Sequence, residues 1–171
     1  MTIEPDTKDW TWVLSRPCGE CGFDAAALDV LDLPARLRSD AEGWVRVLAR
    51  SGAGRRPEPS VWSPLEYACH VRDVHRLFDE RVRLMLREDD PQFANWDQDE
   101  TAVADRYDLQ DPAAVADELA AAAEAVAATY AAVAGEQWQR SGRRSNGSVF
   151  TVDTIGRYHL HDVLHHAWDV R

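Results

Sequence analysis

This sequence lacks long apolar runs, a signal-like start and an even number of cysteines, and each absence narrows the class of protein. The apolar runs are far shorter than the roughly 20 residues needed to cross a bilayer. The opening MTIEPDTKDW lacks the basic and apolar regions of a signal peptide. Three cysteines in 171 residues are an odd number, which argues against a disulfide scaffold. These features predict a cytoplasmic protein with no membrane partner.

Positive charge is also scarce. The 19 basic residues, of which only Lys8 is a lysine, face 30 acidic ones, and the net charge is -11. A field of this sign repels phosphate backbones and anionic lipids, so we expect no nucleic-acid partner and favour small molecules or other proteins. A hydrophobic content of 45% and seven tryptophans suit one soluble domain with a substantial core.

Strand-like alternation and a fixed repeat are lacking too, whereas helical periodicity is strong. A first helix is predicted from near Leu33, where Asp32 can cap it and Pro34 lies in the first turn, and SGAGRRPEPS ends it. A second begins in WSPLEYACH, where Ser63 is the predicted N-cap, and continues to about Arg87 with apolar residues at helical spacing.

Two further helices complete the predicted fold. One runs from Asp111 to Ala134, and another from about Thr151 to the C-terminus, while SVFTV is interpreted as loop. Four helices of this kind favour an all-α fold, an antiparallel four-helix bundle with long crossover loops. We expect the bundle to span residues 33–171 and an irregular lead-in, residues 1–32, to pack on it.

The lead-in contains the pair Cys18 and Cys21 in RPCGECGF, with C-x-x-C spacing. A redox motif belongs where a strand enters a helix, and a structural zinc site needs two further ligands. The surrounding segment is irregular and the sequence has no second C-x-x-C. We therefore interpret the pair as structural or incidental, with Gly19 and Gly22 marking a tight turn.

Histidines are concentrated near the C-terminus, where YHLHDVLHHAW holds four of the six. On a helical wheel, Asp162 and His166 lie one turn apart at the edge of the apolar face, whereas His161 and His165 point well away from it. His70 lies at the margin of the second helix's apolar stripe. Two imidazoles and one carboxylate could bind a divalent metal and leave positions open for substrate. A buried histidine bonded to a carbonyl, or a solvated helix end, would explain the same pattern without metal.

Two motifs carry a family resemblance. The tryptophan eight positions before a histidine on a capped second helix, in WSPLEYACH, and the ligand pair one turn apart on the fourth helix resemble the DinB/YfiT-like superfamily. That superfamily includes the mycothiol-dependent maleylpyruvate isomerases. The resemblance covers about Leu33 to Arg171. It implies a four-helix bundle that holds a divalent metal, often zinc or nickel, through one histidine of helix two and two ligands of helix four.

Carried onto this sequence, the resemblance assigns the first ligand to His70. The family's helix-four pattern is His or Glu, three residues, then His, with a polar residue three positions later. In DVLHHAWD this pattern places Asp162, His166 and Asp169 in turn. Aspartate is a departure from the family, because its shorter side chain requires a closer backbone or a bridging water.

This departure leaves His161 and His165 open as an alternative metal-binding register on helix four. In the favoured register, His159 and His165 become candidates for a general base, since imidazole titrates near neutral pH. Asp169 would orient a ligand imidazole or meet substrate. Either Arg157 or Arg72 would hold an anionic substrate.

The function that the resemblance implies is that of a metal-dependent transferase. A thiol S-transferase or isomerase would use its metal to activate a low-molecular-weight thiol, such as mycothiol, toward an electrophile. The small-molecule thiol and the electrophile would then be its partners. Two alternatives stay open: a non-catalytic metal- or small-ligand-binding protein of stress response, and a structural protein whose apolar helix faces form a homodimer.

Overall fold

Amphipathic helices supply most of the structure. The computed structural model describes residue 3 and residues 8–171. Its helices are α1 (Leu33–Leu48), α2 (Pro64–Arg87), α3 (Gln98–Ala104), α4 (Pro112–Ala131) and α5 (Val152–Asp169). The four long helices pack around one core, which confirms the predicted bundle. The short α3 lies in the acidic connection after α2, where the sequence predicted only loop.

Local chemistry fixes where α2 and α5 begin. The hydroxyl of Ser63 accepts from the Glu66 backbone N–H at 3.2 Å, and the Glu66 carboxylate accepts from the Ser63 N–H at 2.8 Å. This capping box satisfies donors that would otherwise be unpaired. At α5, the Thr151 hydroxyl accepts from the Thr154 N–H at 3.1 Å. At α4, the Asp111 carboxylate accepts from the Ala113 N–H at 2.8 Å. Three of the four predicted starts are thereby explained by hydrogen bonds.

Two predicted helix ends need correction. Asp32 occupies the cap position of α1, but its side chain makes no capping hydrogen bond. The short 3-10 turn Val30–Asp32 leads directly into the helix instead. The third long helix, α4, ends at Ala131 rather than Ala134. Tight turns therefore stand where a side-chain cap was predicted before α1 and where the last helical turn was predicted in α4.

The long helices are not arranged in simple sequence order. Helices α1 and α2 both pack against α4 and α5 and make little contact with each other, so they lie across the bundle. The core between them is filled by large apolar side chains, including Trp44, Leu119 and Leu160. None of the helices in the described part of the chain combines the length and apolarity that a transmembrane segment needs.

A small hairpin precedes α5. Strand β1 (Ser141–Arg143) pairs antiparallel with β2 (Val149–Thr151), so the interpretation of SVFTV as loop was wrong. The turn between the strands contains Asn146 and Gly147, and Gly147 has a φ of 92°. Asn-Gly is a strong hairpin signal because both residues tolerate positive φ. The Asn146-Gly147 dipeptide in the sequence therefore indicates the hairpin that the interpretation as loop overlooked.

The described part of the lead-in packs against α5. Its 3-10 helices are Trp10–Leu14, Ala25–Ala27 and Val30–Asp32. Val13 is fully buried, and the Arg157 guanidinium of α5 donates to the carbonyl oxygen of Leu28 at 2.8 Å. Residues 1, 2 and 4–7 of the predicted lead-in lie outside the described residues. The remainder covers a face of α5 that the sequence suggested was exposed.

Gly142 lies where the hairpin meets the core. A Cβ at this position would approach Phe93 Cζ to 2.6 Å and Met85 Cγ to 2.8 Å, and both side chains are buried. We expect Gly142→Ala to lower the free energy of unfolding by about 1 to 3 kcal/mol, because the core must shift to admit a methyl group. Chemical denaturation measures this. Gly43→Ala, in the open interior of α1, should instead stabilise by about 0.5 to 1 kcal/mol.

Candidate metal centre

Helices α2 and α5 bring together three side chains that we call the His70 centre: His70, Asp162 and His166. Asp162 Oδ1 lies 3.6 Å from His70 Nε2 and 3.5 Å from His166 Nε2. Three potential ligand atoms, one from each residue, lie within 4.8 Å of one another. Two ligand atoms bound to one tetrahedral metal at 2.0 to 2.1 Å are about 3.3 Å apart. The observed spacing is close to this value.

Unpaired polar atoms mark the same point. His70 is 1% exposed, and neither of its ring nitrogens has a hydrogen-bond partner among the described residues. The Oδ1 atom of Asp162 is likewise buried and unpaired within this part of the chain. Buried polar atoms are nearly always satisfied, because an unpaired one costs about 1 to 3 kcal/mol. A divalent cation would satisfy the facing His70 and Asp162 atoms together, so these residues fit a metal.

Electrostatics hold these groups in the protonation states that metal binding needs. Burial lowers the pKa of His70 and outweighs the attraction of Asp162. Burial also opposes the ionisation of Asp162, yet the facing imidazoles of His70 and His166 outweigh it and hold its pKa far below the usual range. At neutral pH, His70 is therefore neutral and Asp162 ionised. Metal ligands require these forms.

Neighbouring side chains fix the orientation of the imidazoles. His166 Nδ1 lies 2.9 Å from Asp169 Oδ2 and donates to it, which directs the lone pair of Nε2 toward Asp162. The Trp96 ring stacks on His70 with 5.6 Å between centroids, and the Trp62 ring packs at 5.4 Å. Both imidazoles are thus restrained before any ligand arrives.

The contact from Asp169 yields a testable prediction. We expect Asp169→Asn to weaken metal binding at the His70 centre by about 10- to 100-fold, because His166 loses the acceptor that fixes its tautomer and orientation. Competition with a chromogenic chelator measures the affinity. Asp153→Asn is the matched control, since Asp153 lies on the same helix and pairs with Arg157 instead. An unchanged affinity for Asp169→Asn would contradict the orienting role.

A cavity of about 530 Å³ opens beside the centre, and Asp162 and His166 form part of its wall. Aromatic rings line much of the remainder, among them Trp62, Trp96 and Tyr158. Arg81 also lines it and lies eleven residues after His70 on α2, which is about 16 Å along the helix axis. The cavity therefore connects the His70 centre with a distant basic group.

Two arginines form this basic end of the cavity, Arg81 and Arg144. Arg81 is 8% exposed, its Nε has no hydrogen-bond partner in the described structure, and burial together with Arg144 lowers its pKa to about 10. Arg144 lies over the Tyr158 ring at 4.8 Å. Neither guanidinium forms an ion pair with a carboxylate of the described residues. This arrangement suits an anionic group of a ligand.

A known protein family matches most of the chain, and its fold agrees with the structure. The sequence model of the DinB superfamily matches residues 35–169. The chain belongs to the DinB superfamily. The resemblance inferred from the motifs on helices two and four is thereby confirmed.

One solved structure similar to this DinB-superfamily chain is YfiT from Bacillus subtilis. Its TM-score is 0.64, with 19% sequence identity over 81% of this chain and 78% of YfiT. YfiT is described as a probable metal-dependent hydrolase with an unusual four-helix bundle topology. At this level of identity the likeness shows the fold alone. No curated protein matches the chain.

On this DinB fold, Arg157 and Arg72, the arginines predicted to hold an anionic substrate, bond to groups outside the cavity. Arg157 pairs with Asp153 and donates to carbonyl oxygens of the lead-in. Arg72 donates to Gln110 at 2.7 Å and to Glu118 at 2.9 Å. Neither lines the cavity. Their positions give no support to the expected role in holding an anionic substrate, which Arg81 and Arg144 suit better.

His159 lies in the core of the DinB bundle instead of in the cavity wall. It is 0% exposed, its Nε2 is 3.0 Å from His75 Nδ1, and its Nδ1 is 3.5 Å from the Tyr130 hydroxyl. A substrate in the cavity cannot reach it while the core is closed. The hypothesis of a general base at His159 therefore loses its basis. His75, which no local pattern distinguished, is its partner.

The structure places His161 and His165 apart from His70, in a group with Cys18 and Cys21. The wheel had pointed both histidines away from the buried face, yet they are 3% and 8% exposed, because the lead-in covers this side of α5. The alternative register with His70 is not assembled. His165 lines the cavity, but one of its ring nitrogens faces Cys18 and the other a carboxylate of Glu20. Its role as general base stays a prediction.

Proposed function

We propose that this DinB-superfamily protein is a divalent-metal-dependent enzyme that transfers a low-molecular-weight thiol, such as mycothiol, to an electrophile or uses it in an isomerisation. Zinc or nickel would be its metal. The observation that carries the proposal is the pair of unpaired buried atoms, His70 Nε2 and Asp162 Oδ1, which face one another beside a large cavity. This combination is typical of an open metal site rather than a closed structural one.

The roles of the protein side chains follow from their positions. His70, Asp162 and His166 would hold the metal, and Asp169 keeps the His166 ring aligned. A divalent metal lowers the pKa of a bound thiol or water and so supplies a nucleophile at neutral pH. Trp96, stacked on His70, would shield the centre from bulk water. This exclusion strengthens electrostatic interactions inside the cavity.

The far end of the cavity favours a particular shape of substrate. Arg81 and Arg144 would bind a carboxylate or phosphate, since each guanidinium offers several donors in a planar arrangement. The distance of Arg81 from His70 along α2, about 16 Å, requires an extended ligand. A bulky thiol cosubstrate together with an anionic acceptor would fit within about 530 Å³.

A second candidate function, hydrolysis, uses the same centre with water in place of the thiol. The similarity to YfiT, described as a probable metal-dependent hydrolase, favours it. The two functions differ in whether turnover needs a thiol. A protein that binds metal without turnover, the third candidate, would show neither reaction.

The test compares thiol transfer and hydrolysis in one preparation. Protein loaded with zinc or with nickel is incubated with mycothiol and a fluorogenic chlorobimane, and separately with a panel of esters and amides without thiol. We expect metal-dependent consumption of thiol that His70→Ala abolishes. Hydrolysis without thiol would transfer the assignment to the second candidate. Failure of the His70 centre to take up metal under any supply would overturn both.

A further inference from the structure

A second cluster of potential metal ligands lies on a neighbouring face of α5. The Cys18 site, as we call it, consists of Cys18 and Cys21 from the lead-in and His161 and His165 from α5. Its four ligand atoms lie within 4.8 Å of one another. The spacings are C-x-x-C and H-x-x-x-H, both typical of structural zinc sites. The two further ligands that the C-x-x-C motif requires are therefore supplied by a helix some 140 residues later in the chain.

The backbone shapes the cysteine pair for binding. The Cys18 N–H donates to the Phe23 carbonyl at 2.8 Å, and the Gly22 N–H donates to the Cys18 carbonyl at 3.0 Å. Gly22 has a φ of 76°, which a residue with a side chain rarely adopts. The closed turn lets both thiols face α5. Gly22 is thus explained by the turn that sequence analysis predicted.

The histidines present nitrogen atoms to the cysteines. His161 is 3% exposed, and its buried Nε2 has no hydrogen-bond partner in the described structure. His165 Nδ1 lies 3.7 Å from Cys18 Sγ, while its Nε2 lies 3.3 Å from a carboxylate oxygen of Glu20. A proton on Nε2 would face Glu20 and leave the Nδ1 lone pair directed at Cys18. Ligand histidines in metal sites commonly show this arrangement.

We propose that the Cys18 site is a second, structural metal site, which binds zinc through two thiolates and two neutral imidazoles. Ligand atoms in such a tetrahedral site are about 3.3 to 3.8 Å apart. Cys18 Sγ and His165 Nδ1 already have this spacing, and no pair of ligand atoms needs to approach by more than about 1.5 Å. Both thiols release their protons to solvent on binding, and the two thiolates balance the charge of the cation. All four positions are filled by protein, which leaves none for substrate.

The main competing interpretation is a redox-active pair that forms a disulfide. Reactive C-x-x-C cysteines depend on a helix N-terminus or a nearby cation to stabilise the thiolate. Cys18 and Cys21 instead lie in a turn between the 3-10 helices Trp10–Leu14 and Ala25–Ala27. A protonated His165 could serve as such a cation for Cys18, but His161, whose buried Nε2 has no hydrogen-bond partner in the described structure, would stay unexplained. A metal accounts for all four side chains.

The proposed zinc would fasten the lead-in to α5. The Trp10 ring lies 4.9 Å from the His165 ring, and Trp10 also lines the cavity. His165 is adjacent in sequence to His166 of the His70 centre. The Cys18 site would therefore hold one wall of the cavity in place without taking part in the chemistry.

Metal stoichiometry tests the proposal. Protein purified with zinc supplied should contain about two metal ions per chain, and Cys18→Ser/Cys21→Ser about one. His70→Ala should also contain about one, so failure of either centre can be distinguished from failure of the other. Wild-type content of about one, with the double serine variant unchanged, would overturn the second site.

Cobalt substitution of the wild-type protein gives a second readout that needs no variant to fold. Cobalt in the Cys18 site should show thiolate-to-metal charge-transfer absorption, which the His70 centre cannot produce because it has no sulfur ligand. Cys69→Ala, which removes the remaining cysteine, should retain that absorption. Absence of the absorption in wild-type protein, or recovery of Cys18 and Cys21 as a disulfide from metal-supplied cells, would contradict the proposal.

Discussion

Replacing Asp162 with asparagine is expected to empty the His70 centre of metal and to lower kcat/KM of the proposed reaction by about 10³-fold. The amide has the size of the carboxylate but no charge, so it cannot offset the cation held between His70 and His166. A metal supplies several kcal/mol of transition-state stabilisation, and each 1.4 kcal/mol is a factor of about ten in rate. Elemental analysis and steady-state kinetics measure the two effects.

The control for this variant is Asp153→Asn, which neutralises an aspartate on the same helix outside the cavity. It should keep both the metal and the turnover. Asp162→Asn should still fold, because Asp162 Oδ1 makes no hydrogen bond with the described residues that the amide would lose. Circular dichroism checks this. Full activity of a folded Asp162→Asn protein whose His70 centre is empty would remove Asp162 from the mechanism.

Acidification is expected to destabilise the metal-free protein by about 4 kcal/mol between pH 6.5 and pH 4.5. Burial lowers the pKa of His75 from 6.5 to about 4, and burial together with His75 holds the pKa of His159 well below its usual value. Below pH 6.5 the unfolded chain binds protons that the folded chain excludes, so stability rises with pH up to 6.5 and is lost below it. Each histidine contributes up to about 1.4 kcal/mol per pH unit.

Urea denaturation at several pH values, with a chelator present, measures this dependence without contributions from bound metal. The double variant His75→Leu/His159→Leu should show a smaller slope, because it removes the facing imidazole pair from the core. Equal slopes for wild type and variant would locate the acid sensitivity elsewhere. A flat profile for wild type would mean that the two rings accept protons in the folded state.

The sequence predicted those parts of the fold that depend on local chemistry. The start of α2 follows from Ser63 and Glu66, three residues apart, and the apolar spacing defines the rest of the helix. The position of His70 opposite Asp162 could be inferred because each residue lies at the edge of an apolar stripe. When the apolar faces of two helices pack together, residues at the margins of these faces come close to one another.

The remaining features depend on contacts that no local pattern records. A helical wheel for α5 assumed one buried face, but the lead-in buries His161 and His165 from another side. The partners of Cys18 and Cys21 are distant in sequence, so a search for a second C-x-x-C could not find them. Choosing Arg81 over Arg72 requires knowing which guanidiniums already have carboxylate partners, and ion pairs such as Arg72 with Glu118 form only on folding.

Neighbouring residues on a helix point about 100° apart, and the donors of α5 alternate accordingly. His161 and His165 turn toward the lead-in, whereas Asp162 and His166 turn toward α2. The helix is thus held by the lead-in on one face and by α2 on another. Rotation of α5 about its axis would misalign both sets of donors at once. A one-residue insertion N-terminal to Leu160 would turn His161 and His165 toward α2 and leave Leu160 and Leu164 facing the lead-in.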